Sequence, residues 1–204
     1  MFLKFFSPTL EAIEQYKNDF GDDYYSFWFG GCMFLVINDI HYKQPNKLVD
    51  LYKKHHEWIK QKLAQAKSNK QLKHLFILQH IPWFIKDIKE KEEWNNIGYE
   101  QREKMLNLFK DAGVRAVFTG HLHGNNENQF DNIKLITTSA IGYQSPNSTL
   151  KSGYRIVNVT EDQFDHVYHE INIKFHSSSN NHQHNLMTFS IGFIILTLLT
   201  LIII

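Results

Sequence analysis

Residues 33–37, MFLVI, are apolar at every position, the pattern of a strand covered on both faces. An aromatic run, YYSFWF, precedes them, and Gly30-Gly31 between the two supplies the positive φ angles of a tight hairpin turn. Over residues 45–66 the period changes. Leu48, Leu51, Tyr52, His55, Trp58, Ile59 and Leu63 recur at helical spacing. HLFILQHIPWF restores a strand at 75–78, which Pro82 stops, and GYEQREKMLNLFKDAG (98–113) predicts a second long helix. Its inward positions are Met105, Leu106, Leu108 and Phe109, and Gly113 is its stop signal. A strand at 116–118 then runs straight into TGHLHG. Ahead of the hairpin, Thr9 is placed to cap a helix over 9–20, whereas residues 86–96 are polar and unpatterned. After GHLHG, the runs NIKLITTSA, GYRIVNV and FDHVYHEINI predict antiparallel strands, the last in period-two alternation. The order predicts an α/β fold: a sheet with helices on its faces and an antiparallel sheet beside it.

The pattern breaks near the C-terminus. HSSSNNHQH (176–184) is small and polar, a spacer composition, and residues 186–204, LMTFSIGFIILTLLTLIII, carry no charge. A bilayer-spanning helix needs roughly 20 apolar residues, so this run predicts a C-terminal transmembrane helix and contact with a lipid bilayer. Two anchors fit. One is a retained tail helix with the domain facing the cytosol. The other is a GPI-attachment signal behind Ser177-Ser178-Ser179. The latter needs a secretory signal, and MFLKFF is too short an apolar run to be one, so the cytosolic side is preferred. Sequons at Asn147 and Asn158 favour the lumen only weakly. The division read from the chain is a domain at 1–175, a spacer at 176–185 and a membrane-active tail at 186–204.

Composition narrows the function by exclusion. Lys and Arg number 22 against 21 Asp and Glu, so nothing in the charge balance points to a nucleic-acid partner. Cys32 is the only cysteine, which excludes an internal disulfide and a thiolate zinc cluster.

Three of the 12 histidines share one local context. His80 follows an apolar strand, and His121 and His123 lie in the turn after the next one. Parallel strands joined by a crossover helix bring their carboxyl ends to one edge, where α/β sheets gather functional groups. Neutral imidazole is the common nitrogen ligand of zinc, iron and similar ions, and Gly120 and Gly124 allow close backbone approach. The other histidines read as structural: His55 and His56 on a helix face, His74 at a strand entry, His166 and His169 on an edge strand.

FILQHIPWF, RAVFTGHLHGN and TTSAIGYQ together resemble the calcineurin-like metallophosphoesterases, from about Thr9 to Lys174. FGDDYYSFWFGG with FLVIN resembles, within them, a group described as serine/threonine phosphatases. The resemblance implies the C-terminal part of a four-layer α/β/β/α sandwich and a phosphorylated protein substrate. It also implies two divalent metal ions (zinc, iron, manganese or similar) that hold a nucleophilic hydroxide between them. On that pattern His80 and His121 would bind the second ion and His123 the first.

The family's site is built from five blocks: Asp-x-His, Gly-Asp, Gly-Asn-His-Asp/Glu, a lone His and Gly-His-x-His. The first three, which include the catalytic histidine, should precede GDDYYSFW, and here that stretch begins at Gly21. Asp39-Ile40-His41 imitates the first block, but no Gly-Asp or Gly-Asn-His follows before His80, so it is rejected as a ligand pair. Gly21-Asp22 belongs to GDDY and is no bridging block. The expectation is phosphoric monoester hydrolysis for the family and weak metal binding for this chain. A non-catalytic, membrane-held interaction module is the alternative.

Overall fold

The computed structural model describes residues 8–142, 151–171 and 201–203. Helix α1 (Leu10–Phe20) opens at Thr9, whose Oγ1 accepts the Ala12 N–H at 3.1 Å. The hairpin follows as β1 (Tyr25–Phe29) and β2 (Cys32–Val36), with Gly30 and Gly31 at φ 56° and 81°. A one-turn helix, α2 (Ile40–Lys43), leads to the long α3 (Val49–Ser68), and β3 (His74–Leu78) lies parallel to β2. Then come α4 (Tyr99–Asp111), β4 (Ala116–Thr119), β5 (Asn126–Phe130) and β6 (Ile133–Thr137). The second sheet holds β7 (Gly153–Val159), β8 (Phe164–Glu170) and β9 (Leu201–Ile203).

The main sheet has the order β1-β2-β3-β4-β6-β5. Its four inner strands are parallel, and an antiparallel strand closes each edge. Alternation along the strands divides the core in two. Met33, Leu35, Leu75, Ile77, Val117, Ile133 and Leu135 pack with Ile59 and Leu63 of α3 and Met105, Leu106 and Phe109 of α4. Phe34, Val36, Phe76, Leu78, Phe118 and Ile136 face the other way, against Val157 of β7 with Val159 and Phe164 at its margin. Each such buried side chain contributes roughly 1.5–3 kcal/mol, which is why these strands are apolar at every position. Helices, mixed sheet and antiparallel sheet are thus three successive layers, the α/β arrangement expected.

One expectation needs correction. The run at 132–140 does not enter the antiparallel meander: β6 pairs parallel with β4, inside the main sheet. The reason is β5, an unanticipated edge strand that turns back at Asp131 (φ 52°) and delivers β6 to the open side of β4. The tail reading falls largely on residues 186–200, outside the described residues. Its last part, Leu201–Ile203, is extended and pairs parallel with β7. Among the described residues, no helix is long and apolar enough to cross a membrane.

Candidate functional site

The parallel strands all present their carboxyl ends at one edge, and the turns leaving them are tied together there. Ile37 N donates to Leu78 O at 3.0 Å, Gly120 N to His80 O at 3.0 Å and Thr138 N to Thr119 O at 2.9 Å. His80 therefore sits beside the His121–His123 turn because the backbone holds it there. His121 and His123 both adopt positive φ (67° and 49°), a conformation uncommon for residues with a Cβ.

His80 Nε2 and His121 Nδ1 are 3.0 Å apart, the two rings nearly perpendicular at 77°. The other nitrogen of His121, Nε2, lies 3.3 Å from the carbonyl oxygen of Trp94. A carbonyl only accepts, so Nε2 bears the proton and the Nδ1 lone pair of the neutral ring faces His80. Burial first, and then the neighbouring histidines, depress His80 to about 3. Burial likewise depresses His121 to about 4, against the Trp94 carbonyl, which favours its proton. Both rings are neutral at physiological pH, the state in which imidazole binds metal. Two nitrogens each about 2.0–2.1 Å from one ion stand about 3 Å apart, so this pair is at ligand spacing. A backbone carbonyl fixing the far nitrogen is the usual companion of a ligating histidine. His123 is half-buried close by, where it disfavours a proton on either ring.

The fit to a metal is partial. Among the described residues, no group of three His, Cys, Asp or Glu side chains is placed to hold an ion. The structure brings His80 and His121 together and sets His123 beside them without completing a shell.

Three features of this edge escaped the sequence reading. Asp39, rejected above as a ligand, is buried, and its Oδ2 accepts the backbone N–H groups of His80, at 2.7 Å, and of Ile81. Burial raises its carboxyl to about 7 against the pull of those two donors. The Asp-x-His pattern was visible, but its use on the backbone was not. Arg155, 3% exposed, reaches from β7 to Thr138 Oγ1 (3.1 Å), Glu127 Oε1 (3.2 Å), His166 Nδ1 (2.6 Å) and Asn125 Oδ1 (3.2 Å). Asn125 Oδ1 also accepts Ser139 N at 3.2 Å, so the second sheet braces the segment just after GHLHG.

The third feature is the segment at 86–96, which read as unpatterned and, with Ile85 and Ile97 at its ends, is in fact tightly bonded. Glu90 accepts the N–H groups of Ile85 and Lys86, each at 2.8 Å. The buried guanidinium of Arg102 donates to the carbonyls of Ile97 (2.7 Å), Glu90 (3.1 Å) and Ile88. Lys43 Nζ donates to Asn96 O at 2.6 Å and to Glu93 O. Side chains bonded to backbone carry no periodicity, so the segment gave no signal in the sequence. Three of the other histidines sit where the sequence placed them: His74 opens β3, its Nε2 2.9 Å from Thr160 O, and His55 and His56 are buried on α3.

No family model matches the chain. It is 36% identical over 165 residues to serine/threonine-protein phosphatase CPPED1 of Rattus norvegicus, covering 81% of this chain and 52% of that protein. To CPPED1 of Homo sapiens it is 35% identical over 166 residues, again 81% and 52%. The chain thus spans about half the length of the curated relatives it matches. A solved dimetal phosphatase from Danio rerio overlays at a TM-score of 0.40 and 12% identity, covering 67% of this chain and 55% of that one. GAP50, the anchor in the inner membrane complex of Plasmodium, overlays at 0.47 and 16% identity, covering 63% and 40%. With 35–36% identity running over 81% of its residues, the chain is similar to the serine/threonine-protein phosphatases of the CPPED1 group.

Proposed function

We propose that this chain carries the histidine side of a metal-dependent phosphomonoesterase site acting on phosphoserine and phosphothreonine in proteins. The observation that supports it most is the His80–His121 pair, two neutral imidazoles at ligand spacing with one far nitrogen fixed by a backbone carbonyl. His80 and His121 would hold one divalent ion and His123 its neighbour. Bound there, such ions supply the positive charge that offsets the charge developing on the phosphoryl oxygens. The chain's own residues position this centre: Asp39 fixes the backbone at His80, Trp94 O sets the tautomer of His121, and Arg155 with Asn125 braces the turn behind His123.

The apolar run at 186–204 supports a bilayer tether. Carbonate extraction of membranes tests this part separately: release of the protein into the supernatant contradicts the tether.

A second reading has its own support. With no three-ligand group among the described residues, the chain would act as a membrane-held interaction module without turnover. Hydrolysis of a phosphoserine peptide by the native protein, with and without chelator, decides between them. Metal-dependent hydrolysis that His121→Ala abolishes without unfolding the protein supports the enzyme. Hydrolysis unaffected by that substitution contradicts the site. For the 204-residue chain by itself we expect no turnover of p-nitrophenyl phosphate with added Mn²⁺ or Zn²⁺.

A further inference from the structure

Trp94 is 66% exposed, yet its ring lies against the histidine pair: the indole and His121 ring centroids are 4.7 Å apart, with the planes inclined at 63°. Its support is rigid. The Trp94 carbonyl accepts from His121, and Lys43 Nζ grips the carbonyls of Glu93 and Asn96 on either side. Glu93 N donates to Asn96 Oδ1 at 2.8 Å, and Asn96 Nδ2 donates to Glu90 Oε1 at 2.6 Å and to Lys91 O at 3.0 Å. The indole adds nothing to the core, and a large exposed aromatic on a fixed turn beside a polar site is a recognition feature.

We infer that Trp94 is a specificity-determining residue that stacks on a flat-faced side chain next to the phosphorylated serine or threonine of the substrate. The inference rests on the phosphoprotein reading above and adds to it a sequence preference. An extended peptide advances about 3.3–3.6 Å per residue. With the phosphoryl group at His80 and His121, a side chain one or two residues away falls over the indole. Aromatic pairs of this kind favour binding by about three- to tenfold.

The test is fluorescence anisotropy with the whole chain and Mn²⁺, using three labelled peptides: phosphoserine flanked by Phe, phosphoserine flanked by Gly, and the Phe peptide without phosphate. The Phe phosphopeptide is expected to bind three- to tenfold tighter than the Gly phosphopeptide. In Trp94→Ala that ratio falls to one, and in Trp94→Phe it persists; because the ratio is taken within each protein, a change in affinity common to all phosphopeptides does not move it. Equal ratios in wild type and Trp94→Ala overturn the inference and leave the phosphoester reading standing, as long as phosphate strengthens binding. If the unphosphorylated Phe peptide binds as tightly as its phosphorylated form, the phosphoester reading fails and this preference with it.

Discussion

Asp39 Oδ2 lies 2.7 Å from the backbone nitrogen of His80 and also accepts the N–H of Ile81. The carboxylate that imitates a metal ligand in the sequence is used on the backbone at the point where the His80 turn leaves β3. It links the start of α2 to a turn 41 residues further on, so the position of His80 depends on a residue that holds its backbone.

Replacing Asp39 with Ala leaves two buried N–H groups without their acceptor. Each costs about 1–3 kcal/mol, so the variant is expected to lose on the order of 2–6 kcal/mol, and Asp39→Asn, which keeps an acceptor, less. Denaturant unfolding measures both. An Asp39→Ala protein as stable as wild type contradicts the role.

Arg102 is completely buried, and its guanidinium donates only to main-chain carbonyls of the segment that carries Trp94. Arg102→Met keeps the volume and removes the donors, so a loss on the order of 3 kcal/mol is expected. Faster amide exchange should appear over residues 86–97 before it appears in β2 and β3. Exchange that rises uniformly across the sheet would show that Arg102 does not hold this segment in particular.

His55 is enclosed by Tyr24, Tyr42, Trp58 and His41, with neither ring nitrogen hydrogen-bonded. Burial, with His41 adding to it, depresses the ring to about 3, against an ordinary value of 6.5. Between those values the unfolded chain binds the proton and the folded one does not. Stability therefore falls on acidification from pH 6.5 toward 3, by about 1.4 kcal/mol per pH unit for such a group. His55→Leu removes that proton, and its stability relative to wild type is expected to rise as the pH falls through this window. A difference independent of pH would show that His55 is not buried neutral.

The strands β2, β3 and β4 were legible because sheets covered on both faces leave uninterrupted apolar runs, and α3 and α4 because one face meets the core. The turns bearing His80, His121 and His123 followed from those strands. β5 was not legible, since NENQF on an open edge has no apolar face to repeat. Missing it put β6 in the wrong sheet, although Asp131-Asn132 marked the turn. The roles of Asp39, Arg102 and Arg155 were hidden for another reason: polar side chains bonded across 5–42 residues of sequence leave no local pattern.

Metal titration of the chain tests the histidine pair most directly, with Co²⁺ absorbance or Zn²⁺ calorimetry on wild type, His80→Ala and His121→Ala. Wild type is expected to bind weakly, as befits an incomplete shell, and each substitution is expected to abolish that binding while the circular dichroism spectrum stays unchanged. Binding of equal strength in all three proteins would contradict the assignment of His80 and His121 as ligands of a common ion.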